Sequence, residues 1–354
     1  MANHSAPTRE LMEFQSDRIE AVLASHRIPV RVHGGTVAPR WIRFHFTAAP
    51  TAKVSSIRNL SEEIALALGA ADARITRQGD MLAIEIPRTD EHVPTVRLLP
   101  MLRNLLATAP LPPATACLGL SDDGRPLLLR LSSPDVAHVL VAGATGSGKT
   151  ELMRAILISL AATNRQSRLQ MALIDPKARG LAPLGVLPHV LAPPATHMQA
   201  AVDLLERLVA EMARRDAQGV SAPRIVIAVD EVIDLLMMGG KPVEAMLGRL
   251  AQRGREAGMH LLLGAQKPSS ALLGPHLKAN LPARLVGRVS SAEDARVACG
   301  IAASGAEKLT GRGDFLAVAE GSTTHFQAAH VPPADFNEFR VAFRNPVALL
   351  SADP

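Results

Sequence analysis

The chain has 354 residues, 47% of them hydrophobic and 20% charged, so it can bury a sizeable core and is not disordered by composition. It has no apolar run of about 18 residues, and Met1-Ala2-Asn3-His4-Ser5-Ala6-Pro7 is not a basic stretch leading into an apolar one, which argues against a membrane span and a signal peptide. Cys117 and Cys299 are too few and too far apart for a disulfide framework or a metal set, and they suit a reducing cytoplasm. The formal charge of +5 hints at a polyanionic partner. With 3% aromatic residues, one Trp and no Tyr, base stacking is a poor option, so a duplex held by its phosphates fits better than a single strand.

Residues 8–26 place Leu11, Met12, Gln15, Ile19, Val22 and Leu23 at helical spacing. Residues 41–46 alternate, with Ile42, Phe44 and Phe46 on one face and Trp41, Arg43 and His45 on the other, as in a half-buried strand. A helix carrying Ile57, Leu60, Ile64 and Leu68 on one side follows, then a strand through Leu82, Ile84 and Ile86, and a short helix around Leu98–Leu106. Ala109-Pro110-Leu111-Pro112-Pro113 reads as a linker, which closes a small α+β domain over 1–112. That domain shows no catalytic constellation, and its His33 and His45 are isolated. Asp123-Gly124 predicts a hairpin leading into the second domain.

From about residue 114 strands and helices alternate, the pattern of a mostly parallel α/β sheet. Val139-Leu140-Val141-Ala142 reads as a buried strand. It empties into Gly143-Ala144-Thr145-Gly146-Ser147-Gly148-Lys149-Thr150, which matches G-x-x-x-x-G-K-[ST] at every fixed position, and a helical stretch follows. Such a turn aims backbone N–H groups at a phosphate and adds the field of a helix N-terminus. Lys149 is placed to reach the β- and γ-phosphates of ATP, and Thr150 to ligate Mg²⁺.

Leu169–Ile174 is a predicted strand ending in Asp175-Pro176-Lys177, and residues 198–214 form a helix with Leu204, Leu205, Leu208 and Met212 inward. Ile225–Val229 is a continuous apolar run that ends in Asp230-Glu231. At a buried strand tip Asp230 can hold Mg²⁺ through its water shell, and Glu231 can act as general base on a water, which favours hydrolysis over simple binding. A helix from Pro242 to Ala257 and a strand Met259–Ala265 lead to Gln266, a polar side chain placed to touch the γ-phosphate. Between Arg249 and Arg296 lie eight basic residues and three acidic ones, an excess of +5 that equals the charge of the whole chain. A polyanion surface therefore lies beside the nucleotide core.

The stretch 143–332 resembles the motor domain of the FtsK/SpoIIIE DNA translocases. The matching pieces are the phosphate loop, Ile174-Asp175-Pro176-Lys177 with Pro188-His189, Val229–Leu236, Arg249–His260, Gln266-Lys267-Pro268-Ser269, Lys278–Arg284 and Val289-Ser290-Ser291. Residues 28–112 are similar, more weakly, to the family's small α domain. The resemblance implies a RecA-like P-loop ATPase over 113–345 with a tail at 346–354. It also implies a ring of six subunits around double-stranded DNA and ATP at the subunit boundaries. By the same resemblance Arg255, with Arg284 as second choice, completes a neighbour's site. Lys267, Lys278 and Arg296 map to DNA-contacting loops, while Ala292 stands where the family usually has lysine, a gap that Arg288 could fill. The segment between Asp175 and Asp230 is shorter than in the cell-division members. Without an N-terminal membrane region or a C-terminal winged helix, the expectation is a soluble, minimal motor. A protein-secretion ATPase of the same superfamily, or a nucleotide-switched adaptor, stays open at this point.

Overall fold

A computed structural model describes residues 9–37, 41–49, 52–70, 72–78, 81–88, 95–267 and 270–342. The tail expected at 346–354 lies outside them. The chain divides into two compact units, one made of residues 1–95 with 120–125, the other of 96–119 with 126–354.

The smaller unit contains α1 (Arg9–Ser25), β1 (Val30–Val37), β2 (Trp41–Ala48), α2 (Val54–Arg58), α3 (Ser61–Leu68), β3 (Arg74–Gln78) and β4 (Met81–Pro87). Its strands form an antiparallel sheet in the order β1-β2-β4-β3. The apolar face read from β2 is buried as expected, and Phe44 and Phe46 pack with Ile19, Leu23, Ile57, Ile64 and Ile84. The helix expected through Ile57 and Leu68 is two helices, since the chain turns at Asn59 and Leu60. Ile57, Leu60 and Ile64 are nonetheless all buried.

The opposite face of β2 is not simply solvated. Arg43, Glu85 and Arg74 lie in one cross-strand row, with Arg43 Nη2 2.6 Å from Glu85 Oε1 and Arg74 Nε on the other carboxylate oxygen. Burial pushes the Glu85 carboxyl up, but the charges and hydrogen bonds of the two arginines outweigh it and hold the group below its usual range. Removing the carboxylate would leave Arg43 buried and unpaired, so Glu85→Gln should cost about 3 kcal/mol at neutral pH. Because the folded carboxyl titrates lower than the unfolded one, its contribution is full above the unfolded value and fades as pH falls. Thermal melts should therefore separate native and variant chains at pH 7, and the gap should begin to close below about pH 4 and vanish only once the pH falls beneath the lowered folded value.

The larger unit carries α4 (Leu98–Thr108), β5 (Thr115–Ser121), β6 (Pro126–Arg130), β7 (Val139–Ala142), α5 (Lys149–Thr163), β8 (Leu169–Ile174) and α6 (Met198–Gln218). It continues with β9 (Arg224–Val229), α7 (Val232–Arg253), β10 (Met259–Ala265), α8 (Ser270–Ala279) and β11 (Ala283–Gly287). The last elements are α9 (Ala292–Cys299), β12 (Asp314–Ala319), β13 (Ser322–Ala328) and α10 (Pro333–Ala342). α4 belongs here because the Arg97 guanidinium grips the Asp335 carboxylate and the Leu98 N–H donates to the His330 carbonyl at 3.0 Å. The division thus falls ahead of the proline-rich linker.

One nine-stranded sheet runs β6-β5-β13-β12-β11-β7-β10-β9-β8. The half from β11 to β8 is parallel, whereas β11, β12 and β13 pair antiparallel. The Asp123-Gly124 turn expected between β5 and β6 is present, with Gly124 at φ 76°. α6 and α7 cover one face of the parallel half through Leu204, Leu205, Leu208, Met212, Leu235, Leu247 and Leu250. α7 starts at Val232, ten residues ahead of the expected Pro242, and bends at Gly240 (φ 58°). Pro242 suits the first turn of the second segment, so the sequence signal marked the bend and not the start. Among the described residues no helix is long and apolar enough to cross a membrane.

Candidate nucleotide site

Parallel pairing brings the carboxyl ends of β7, β8, β9 and β10 to one edge of the sheet. Ala142 lies opposite Ala265, and Val229 lies between Ile174 and Leu263. Each end then delivers a functional residue just beyond its last buried aliphatic.

β7 opens into the phosphate loop, and α5 begins at Lys149. The loop is anchored from three sides: Gly143 N–H donates to the Ala265 carbonyl at 3.1 Å, Ala144 N–H to the Arg288 carbonyl at 2.8 Å, and the Ser147 carbonyl accepts from Gly313 N–H at 2.8 Å. Gly148 has φ 96°, and a Cβ there would sit 2.9 Å from Gly313 N, so glycine is needed for both conformation and space. Thr145, Gly146 and Gly148 donate their N–H groups to no backbone carbonyl outside regular structure among the described residues.

Lys149 is only 6% exposed. Its ammonium bonds the Asp230 carbonyl and lies 3.4 Å from Asp230 Oδ1 and 3.5 Å from Glu231 Oε2. Thr150 Oγ1 donates to Asp230 Oδ1 at 3.1 Å. A hydroxyl and a carboxylate oxygen side by side at the phosphate loop form the hard-oxygen pair that Mg²⁺ prefers, so Thr150 and Asp230 fit that ion.

Glu231 is 4% exposed, and both its oxygens accept from the Gln266 N–H at 3.1 Å. Burial pushes its carboxyl above the ordinary range, against the pull of Lys149, the Gln266 amide and Lys177. A carboxylate raised in this way is a stronger base. Gln266 thus acts on the site through its main chain, while its side chain is exposed.

Several contributors had no role assigned to them in the sequence reading. Asp175, fully buried, ties down its own loop by accepting from Leu181 N–H at 2.8 Å and Ala182 N–H at 2.9 Å. Arg154 of α5 holds the same loop through the Gly180 and Arg179 carbonyls, each at 2.7 Å. The loop roofs Asp230 so closely that a Cβ on Gly180 would lie 2.4 Å from Asp230 Oδ2. Lys177, flagged only within the Asp175-Pro176-Lys177 motif, pairs with Asp234 at 2.8 Å, one turn along α7 from Glu231.

The remaining predicted residues lie apart from this cluster. Arg255 is exposed between α7 and β10, at the amino end of β10, whereas Gln266 follows its carboxyl end. The seven-residue strand between them spans roughly 20 Å. Arg284 is spent on the carbonyls of Leu281, Val297 and Ala298 at 3.3, 3.4 and 3.3 Å, and burial lowers its pKa. Lys267 is exposed directly after Gln266, Lys278 is half-buried on α8, and Arg288 is exposed beside the phosphate loop. Arg296 is exposed on α9, 2.7 Å from Glu293, and Arg253 is 2.7 Å from Asp216. The basic excess is therefore partly neutralised locally.

The order of the parallel strands, the loop and the carboxylates at its edge define a RecA-like P-loop ATPase fold. Comparison with known proteins narrows the class. The FtsK/SpoIIIE family profile matches residues 98–220 and 216–270, and the FtsK alpha domain profile matches 1–88. The chain belongs to the FtsK/SpoIIIE family. It is 35% identical over 335 residues to the DNA translocase SftA of Bacillus subtilis (strain 168), an alignment covering 88% of this chain and 35% of SftA. It spans 38% of the length of the DNA translocase FtsK of Helicobacter pylori, to which it is 32% identical over 88% of its own length. Among solved structures it superposes on the pCW3 conjugation coupling protein TcpA, a monomer form with ATPγS, with a TM-score of 0.63 at 18% identity, covering 94% of this chain and 100% of that one. The cytoplasmic domain of the Thermomonospora curvata type VII secretion ATPase EccC gives a TM-score of 0.56 at 28% identity, over 68% of this chain and 31% of that one.

Proposed function

We propose that this protein is an ATP-driven translocase on double-stranded DNA, built as a ring of six subunits with ATP at each boundary. The observation that carries the reading is a connection of one residue. The main-chain N–H of Gln266 holds the Glu231 carboxylate, and Lys267, a residue for gripping DNA, is the next in the chain. Movement of Glu231 during the phosphate reaction is thereby transmitted to a cation on the track. The family relationship to proteins named DNA translocases supports the same substrate.

In this reading the phosphate-loop amides and Lys149 hold the β- and γ-phosphates, and Thr150 and Asp230 would hold Mg²⁺, which would supply charge neutralisation for the phosphates. Glu231 accepts the proton of the attacking water, the new oxygen–phosphorus bond forms, and the bond to the β–γ bridging oxygen breaks to release ADP. Arg255 is too far from its own Lys149 to take part, so it serves the neighbouring subunit's γ-phosphate. Lys278, Arg296 and Arg288 join Lys267 on the DNA backbone, in contacts that carry no sequence information and weaken with salt. The smaller unit is read as the family's alpha domain and the larger as the motor.

Steady-state ATP hydrolysis with and without linear duplex DNA at low salt tests the reading. Turnover should rise several-fold with DNA, and the rise should vanish when Lys267 and Lys278 are both replaced by Glu. A secretion ATPase or a nucleotide-switched adaptor should show turnover indifferent to DNA.

A further inference from the structure

The segment Thr310–Asp314 stands outside the phosphate-loop motif, yet it is fastened to it. Arg312 N–H donates to the Gly146 carbonyl at 2.9 Å, and Gly313 N–H to the Ser147 carbonyl at 2.8 Å. Three successive residues, Gly311 (φ 83°), Arg312 (φ 51°) and Gly313 (φ 89°), occupy the left-handed region. The glycines are explained by space as well. A Cβ on Gly311 would be 3.0 Å from the Gly146 carbonyl oxygen, and one on Gly313 2.7 Å from Gln327 Nε2.

Arg312 has no such explanation. A left-handed backbone is strained for a residue with a Cβ, and glycine would adopt it freely. The conformation is enforced from every side. Gln327 Nε2 donates to the Arg312 carbonyl at 3.0 Å and Ala328 N–H to the Gly313 carbonyl at 2.7 Å. Asp314 Oδ2 accepts from Thr310 N–H at 2.8 Å and from Thr310 Oγ1 at 3.1 Å. On this rigid base the Arg312 side chain is exposed and takes part in no hydrogen bond or ion pair among the described residues. A second cation is close by, since Arg288 Nε would lie 3.7 Å from a Cβ on Gly311. The nearest acid along the chain, Asp314, is occupied by Thr310 and by His325 Nε2 at 2.5 Å. Strain retained at a position whose side chain does nothing for the fold points to a ligand.

We propose that Arg312 binds the phosphate chain of the nucleoside di- or triphosphate held by its own subunit's phosphate loop. The proposal rests on the reading of that loop as a nucleotide site and adds to it a guanidinium from the same subunit, opposite in origin to Arg255. Guanidinium forks match phosphate oxygens, and the bonds from the Arg312 and Gly313 N–H groups to the Gly146 and Ser147 carbonyls hold the base of the Arg312 side chain beside the cradle.

The test titrates the full chain with fluorescent N-methylanthraniloyl-ADP and Mg²⁺, and records thermal melts without nucleotide. Arg312→Gly and Arg312→Gln should each bind the probe about tenfold or more weakly, and Arg312→Lys should lose less. The nucleotide-free melting temperature of Arg312→Gly should equal or exceed that of the native chain, because strain is removed. Probe affinity within about twofold of native in both Arg312→Gly and Arg312→Gln would overturn the proposal. So would a fall in duplex DNA affinity with unchanged probe affinity, which would assign Arg312 to the track, or a loss of stability in Arg312→Gly, which would assign it to the fold. Native protein that fails to bind the probe, or Lys149→Ala that binds it as well as native, would overturn the nucleotide reading and this proposal with it. Those two results do not resemble the others.

Discussion

Glu231→Gln should lower ATP turnover by about 10²–10⁴-fold while leaving nucleotide affinity within a few-fold of native. The amide keeps the shape of the side chain but cannot take a proton from water. It can still accept the Gln266 N–H through its oxygen, so the carboxyl end of β10 has no cause to move. Stopped-flow single-turnover measurements separate the two effects, with binding intact and the chemical step slowed. Equal losses in affinity and turnover would instead make Glu231 a structural partner of Lys149, from which it lies 3.5 Å.

Arg255→Ala should reduce turnover by about 10³-fold or more, and the loss should be repairable in trans. With β10 between Arg255 and Gln266, one subunit cannot place this guanidinium on its own phosphates. Mixing Arg255→Ala subunits with Lys149→Ala subunits creates boundaries with an intact phosphate loop on one side and an intact arginine on the other. Turnover should therefore reappear at intermediate mixing ratios. Two inactive proteins that stay inactive at every ratio would place the role of Arg255 elsewhere.

The strands that build the nucleotide edge were legible because each is a short apolar run that stops at a chemically loaded residue. β8 and β10 have the expected limits, and β9 begins one residue early at Arg224. The antiparallel half was not legible as such. β12 and β13 pair around Glu320-Gly321, β12 also pairs with β11, the strand before it, and β13 with β5, which comes from a distant part of the chain. Alternating elements suggest a parallel sheet, but hydrophobic periodicity carries no information on strand direction. β1 escaped notice because Gly34 and Gly35 interrupt its alternation at a bulge. In the site, the motif residues Lys149, Thr150, Asp230 and Glu231 converge as their spacing implied. Arg154, Gly180 and Arg312 support the same edge through main-chain carbonyls and close approach, and such contacts leave no pattern in a sequence. Burial of Arg43 beside Glu85 has the same cause, because a charge on the outer face of a strand reads as solvated until its cross-strand partners are known.

Coupling of the phosphate reaction at Glu231 to movement along a duplex is tested most directly by displacement of a third strand. A labelled oligonucleotide is bound as a triplex near one end of linear DNA, and its release is followed after adding the protein and ATP. Release should require ATP hydrolysis, fail with Glu231→Gln, and lengthen in lag time as the duplex ahead of the triplex grows. ATP turnover by the native protein with the triplex left in place would contradict translocation.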